Sequence, residues 1–162
     1  MTFGDLTVEQ AKRVARSSPP GEIPELLQQA IRAERFDLLR LLLEGHDADP
    51  NSPTPYGLTA LHVAVEFYQA DMVEYLCAHG ASPNAQNPDG WTPLHVAVDI
   101  EADSAHQEDR EPSVGLIRIL LEAGADARLR DKKGLTPRDL AAEWGHDAAA
   151  QLLAEYEERE WK

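Results

Sequence analysis

The chain has 162 residues, the size of one ordinary domain, and its 43% hydrophobic and 27% charged residues are globular values that exclude a disordered or collagen-like chain. Fifteen Lys and Arg stand against 29 Asp and Glu, and the formal net charge of −14 sets the chain against phosphate backbones and anionic lipid, so neither direct nucleic-acid binding nor a membrane is expected. The single cysteine, Cys77, permits no internal disulfide and no cysteine-based zinc site, which fits a reducing, cytoplasmic compartment.

The opening MTFGDLTVEQAKRVARSS lacks the continuous apolar run of a secretory signal. Thr7 and Gln10 stand in capping-box spacing, and Leu6, Ala11, Val14 and Ala15 form one apolar side, so a helix is predicted from Thr7 to Ser17. Ser17-Ser18-Pro19-Pro20-Gly21 breaks it. Glu25-Leu26-Leu27-Gln28, then Ala30, Ile31 and the leucine-rich run 38–43, read as a degenerate helical unit. A regular phrase follows: Gly57-Leu58-Thr59-Ala60-Leu61-His62-Val63-Ala64-Val65 returns as Gly90-Trp91-Thr92-Pro93-Leu94-His95-Val96-Ala97-Val98 and, more loosely, as Gly134-Leu135-Thr136-Pro137-Arg138-Asp139-Leu140-Ala141-Ala142. The leading glycines lie 33 and 44 residues apart. Between them runs a second phrase, His79-Gly80-Ala81-Ser82-Pro83-Asn84 and then Ala123-Gly124-Ala125-Asp126-Ala127-Arg128, with a looser forerunner at Gly45 to Asn51.

The phrases have a physical reading. Thr59, Thr92 and Thr136 can cap helix starts, and Pro93 and Pro137 stand where a missing N–H costs nothing. Met72, Val73 and Leu76, like Ile117, Leu120 and Leu121, keep the spacing of a helix buried on one face. Gly80 and Gly124 then close those helices, at a position that requires φ > 0.

Period and phrases together resemble the ankyrin repeat, whose signature is a Thr-Pro-Leu-His run followed by Gly-Ala-Asp. The resemblance implies an all-α ankyrin-repeat solenoid of about four helix-turn-helix repeats with an N-terminal capping helix. The expected organisation is an N-terminal helix and linker over 1–21 and a repeat domain over 22–162, with repeats near 22–53, 54–86, 87–130 and 131–162. Two departures stand out. Tyr68 occupies a position where the family usually carries glycine, so that turn is rebuilt or Tyr68 is held at φ > 0. The third repeat is eleven residues longer than the second between Ile100 and Leu116, which reads as an inserted loop near 101–114, either solvated filler or a partner contact.

Catalytic chemistry finds little support. The resemblance makes His62 and His95 structural imidazoles, while His46, His79 and His146 flank helix ends as exposed polar residues. His106, Glu108 and Asp109 are ligand types without a fixed frame, and no G-x-S-x-G, P-loop, HExxH or CxxC motif is present. Cys77 falls in a buried leucine register. No catalytic residue, cofactor or metal is expected. A metal-dependent hydrolase using the inserted loop is the reading from another class, and a stoichiometric bound metal would revive it.

The resemblance assigns a protein-binding concave face to the turn tips and to the ends of the first helices. On this sequence those positions are Tyr56 and Leu58, Asp89 and Trp91, then Lys133 and Leu135 on the turns, and Glu66-Phe67, Asp99-Ile100 and Glu143-Trp144 on the helices. Each helix pair joins an acid to a large apolar residue, the composition of interface hot spots. Residues 51–100 contain no Lys or Arg and five acids, so the expected partner is a basic protein, bound by a chain that is a monomer when free. An inhibitor or immunity protein neutralising a cationic toxin or nuclease fits best. An adaptor tethering a client, or a mimic of DNA charge, would use the same face.

Overall fold

The computed structural model describes residues 2–46, 48–108 and 113–158, and the side chains of all of these except 103–108. The secondary structure is all-α among these residues. The chain divides into two compact units, Met1–Ser82 and Pro83–Lys162.

In the first unit, Phe3–Asp5 forms a short 3-10 turn whose buried Phe3 donates its N–H to Gln29 Oε1 at 2.9 Å. Helix α1 (Val8–Ser17) starts at the expected box: Thr7 Oγ1 accepts from Gln10 N at 3.3 Å, and Gln10 Oε1 accepts from Thr7 N at 2.9 Å. The degenerate first repeat is α2 (Ile23–Arg32) and α3 (Phe36–Gly45), and the regular second repeat is α4 (Ala60–Glu66) and α5 (Ala70–Ala78). Helix α1 covers α3, while α2 packs on both α3 and α4. Leu27, Ile31, Leu38, Leu39, Leu42, Leu61 and Leu76 fill this core. Arg35 ties the N-terminal turn down, donating Nη1 to the carbonyls of Gly4 at 2.8 Å and Leu6 at 3.0 Å while its other nitrogens hold Asp37.

The second unit holds α6 (Pro93–Glu108), α7 (Gly115–Glu122), α8 (Pro137–Glu143) and α9 (Asp147–Glu157). Its caps follow the Thr pattern. Thr92 N donates to His95 Nδ1 at 3.2 Å, and Thr136 N donates to Asp139 Oδ2 at 2.9 Å with Asp139 N returned to Thr136 Oγ1 at 3.2 Å. Gly80 and Gly124 have φ of 86° and 95°, as the second-helix C-caps require.

The expected loop at 101 is instead helix. Helix α6 runs through Ile100 and Glu101, where the other repeats turn, and the inserted residues extend it to Glu108. Residues 109–112 of the expected insertion lie outside the described residues. The helix is held by a contact across the insertion: Glu101 and Ala102 are buried on α6, and Glu101 Oε1 accepts the N–H of Leu116 at 2.9 Å, so the side chain caps the start of α7 from within the preceding helix.

The inter-helix turn of the other repeats closes the same way each time, on a left-handed residue: Glu34 at φ 54°, Tyr68 at φ 55° and Gly145 at φ 69°. At Tyr68 the turn is made by Tyr68 N to Val65 O and Gln69 N to Ala64 O, both 2.9 Å. The family's glycine geometry is therefore kept without the glycine. A side chain in this region costs about 1–2 kcal/mol, and glycine's larger unfolded-state entropy returns about 0.4–1 kcal/mol of any gain. Tyr68→Gly is expected to stabilise the protein by about 0.5–1 kcal/mol. Chemical denaturation of wild type and variant measures the difference, and a destabilised variant would contradict the strain.

Candidate functional site

In the first unit the turn between Thr54 and Leu58 is closed by Thr54 N to Leu58 O at 3.0 Å and Gly57 N to Thr54 O at 2.8 Å. It lifts Tyr56 to 79% exposure, while Leu58 is half-buried beneath it. The end of α4 presents Glu66 and Phe67, the latter 46% exposed, and the left-handed turn adds exposed Tyr68. Tyr68, a departure in the turn by its sequence, thus joins a positive φ of 55° with a ring 42% exposed. Tyr and Trp are enriched among the residues that dominate binding energy where an interface buries them.

The second unit presents two turns fastened together. Asn87 N donates to Trp91 O at 2.9 Å in the first, and Asp131 N donates to Leu135 O at 2.9 Å in the second. Lys132 N bonds Asp89 O at 3.0 Å, and Gln86 Nε2 bridges Gly90 O at 2.8 Å and Arg130 O at 3.0 Å. A Cβ built on Gly90 would stand 2.8 Å from Lys132 N, so this glycine permits backbone contact as well as its φ of 80°. Asp89 is exposed, while Trp91 is half-buried with its indole N–H on Asp131 Oδ2 at 3.1 Å. Burial would raise Asp131, but the N–H groups of Leu135 and Lys133, the Trp91 indole and the nearby His95 hold its carboxyl below the ordinary value.

The helix pairs are presented unequally. Glu143 is exposed and Trp144, 49% exposed, caps α8 as Phe67 caps α4. Asp99 and Ile100 lie inside the lengthened α6 and are half-buried. The acid-plus-apolar pair therefore ends a helix in the second and fourth repeats and sits mid-helix in the third.

The histidines separate by partner. Thr59 Oγ1 and His62 Nδ1 lie 2.9 Å apart, as do Thr92 Oγ1 and His95 Nδ1, and His95 Nε2 reaches Leu135 O at 3.1 Å. Gln28 makes the corresponding bond in the degenerate repeat, Nε2 to Leu58 O at 2.9 Å. His146, expected on the surface, is buried: Nδ1 accepts the Ala149 N–H at 3.3 Å and Nε2 meets Ser113 O at 2.9 Å. It caps α9, a role that its place just before a helix start could have signalled. Glu101 gave no such signal, because its partner α7 lies beyond the insertion. Burial pushes the Glu101 carboxyl up, against Leu116, Ile117 and Gly115 N–H groups and the Ser113 hydroxyl that favour the charged form. Burial likewise pushes the Cys77 thiol up to about 11, so it is not a thiolate near neutral pH. Among the described residues no three His, Cys, Asp or Glu side chains are grouped to hold a metal ion, and no helix is long and apolar enough to cross a membrane. The side chains of His106 and Glu108, and Asp109 entirely, lie outside the described residues.

Comparison with known proteins places the chain in a family. The model for ankyrin repeats (3 copies) matches residues 27–107 and that for a single ankyrin repeat matches residues 89–132. The chain belongs to the ankyrin-repeat family, whose repeats are protein–protein interaction modules. It is 32% identical over 130 residues, 78% of its length, to E3 ubiquitin-protein ligase Ufd4 of Drosophila melanogaster, and 42% identical over 45 residues, 28% of its length, to potassium channel AKT1 of Arabidopsis thaliana. These matches span only 4% and 5% of the two relatives.

Burial lowers the pKa of His95, against the Leu135 carbonyl and Asp131, which favour the imidazolium. An imidazole with a depressed pKa binds fewer protons folded than unfolded. Its contribution is therefore full above about pH 7 and is lost as pH falls through about 6.5 toward the folded value. His95→Gln keeps an amide N–H for Leu135 O, as Gln28 supplies for Leu58 O, and removes the titration. The stability of wild type relative to this variant, from urea denaturation, is expected to be constant above about pH 7 and to shrink below about pH 6.5. A difference independent of pH would contradict the neutral buried imidazole.

Proposed function

We propose that the protein is a non-enzymatic binding module for a basic protein partner, and that it acts as an inhibitor or immunity protein by covering a cationic toxin or nuclease. The observation that carries this reading is that three of the exposed rings, Tyr56, Phe67 and Trp144, fall at positions of the expected binding face, two of them following an exposed acid, Glu66 or Glu143. Residues 51–100 add five acids and no Lys or Arg. The rings supply buried area, which governs the off-rate, and the acids supply steering, which raises the on-rate at low salt. Leu58 in the first unit, and Asp89, Trp91, Asp99 and Ile100 in the second, are the remaining proposed contacts, Asp89 exposed and the others half-buried. An adaptor that tethers a client would use the same residues; the two roles differ in what binding does to the partner's activity.

The test replaces the exposed rings and spares Trp91, whose indole is part of the turn. Wild type and Tyr56→Ala/Phe67→Ala/Trp144→Ala, matched by circular dichroism, are used as bait for source lysate at low and high salt. A basic protein retained by wild type and lost by the variant is expected, and its activity should fall when wild type is added. Equal retention by both baits would overturn the surface. Retention with undiminished partner activity would overturn the inhibitor role in favour of the adaptor.

A further inference from the structure

The fourth-repeat turn carries charge opposite in sign to the chain as a whole. Between residues 128 and 138 stand Arg128, Arg130, Lys132, Lys133 and Arg138 against one acid, Asp131, so a third of the 15 Lys and Arg fall in one short stretch. All five cationic residues are exposed, whereas Asp131 is buried and turned inward. Its Oδ1 accepts the N–H groups of Lys133 at 2.8 Å and Leu135 at 2.9 Å, and its Oδ2 takes the Trp91 indole. The one acid in the stretch is thus engaged in building the turn, and the cations surround it on the outside.

The cations are not equivalent. Arg138 pairs with Glu157 at 3.0 Å, Arg130 lies 3.6 Å from Asp139 and donates to Gly134 O, and Arg128 lies 4.0 Å from Asp126. Lys132 and Lys133, at the tip, make no side-chain hydrogen bond or ion pair with the described residues. Their backbone is held: Lys132 N on Asp89 O, Lys133 N on Asp131, and the neighbouring turn against Lys132 N at Gly90. Two unengaged ammonium groups on a fixed backbone bind an anion without first ordering the loop.

We infer that this turn docks an acidic polypeptide segment, with Lys132 and Lys133 making the main contacts and Arg130 and Arg138 at the flanks. Carboxylates fit better than a polyphosphate strand. At physiological salt the Debye length is about 8 Å, so a short segment feels the local cations, whereas a long polyanion also meets the field of a chain whose net charge is −14. The ammonium's point charge asks for no bidentate geometry, and a flexible Glu or Asp side chain satisfies it. Lys133 is one of the turn positions of the proposed binding face, so the inference rests on that reading and gives the face a cationic element beside its acids.

The test uses the full chain, isotopically labelled for NMR, and a short Glu-Gly peptide as probe. Saturable amide shifts are expected at the 131–135 turn. Lys132→Glu/Lys133→Glu is expected to weaken binding roughly tenfold, the worth of two exposed ion pairs at the upper end of their range. Arg13→Glu/Arg16→Glu, which gives the same net charge elsewhere on the chain, should leave binding unchanged. Equal weakening by both variants, shifts centred away from the turn, or no saturable binding would each overturn the proposal. So would tighter binding of a charge-matched oligonucleotide at the same amides, or self-association through the turn without peptide.

Discussion

Side chains of one repeat satisfy the backbone of the next, and the rest of the fold is arranged around that requirement. In the first unit Gln28 donates to Leu58 O, while Asn51 donates Nδ2 to Gly80 O at 2.8 Å and accepts Ser82 N at 2.7 Å. In the second unit His95 reaches Leu135 O, and Asn84 spans Gly124 O at 3.1 Å and Asp126 N at 2.8 Å. These bonds join residues 29–31 apart in the first unit and 40–42 apart in the second, so the register survives the insertion. Turn and helix-end groups that are not paired within their own repeat find partners one repeat away, in bonds that are part-buried at Gln28, His95 and Ser82 and exposed at Gly80, Gly124 and Asp126. The apolar interior supplies the bulk of the driving force without direction; the amide and imidazole bonds set which turn faces which.

The insertion shows how the constraint is met when the length changes. The chain gives up the left-handed turn after the first helix of the third repeat, lengthens α6, and uses Glu101 to supply the start of α7 with an acceptor. The exposure of the corresponding first-helix positions changes with it. Phe67 and Trp144 end their helices and stand in solvent, whereas Ile100 sits within α6 and is half-covered. Exposed rings therefore stand at the ends of α4 and α8, and within the second unit the turn tips carry an acid at Asp89 and lysines at 132 and 133.

The legible parts of the sequence were those with a local cause. Thr7 with Gln10 and Thr136 with Asp139 announce helix starts because both partners lie within one turn. Gly80 and Gly124 announce helix ends because few residues accept that φ, and Tyr68 could be marked as strained for the same reason. Glu101 was not legible, since its partner Leu116 lies far along the chain; for His146 the cap on Ala149 N is local, but the burial against Ser113 was not legible for the same reason as Glu101. At the candidate surface the residue types could be chosen from the period, but their unequal exposure could not, because Trp91 is held down by Asp131 from the neighbouring repeat.

The coupling between repeats is tested most directly by native-state hydrogen exchange on wild type and Asn84→Ala. Ser82 N is bonded to Asn51 Oδ1 and Asp126 N to Asn84 Oδ1, each an asparagine side chain of the preceding turn. Both should be protected in wild type, and Asn84→Ala should release Asp126 while leaving Ser82 protected. An Asp126 amide that exchanges equally slowly in both proteins would contradict the claim that these side chains hold one repeat to the next.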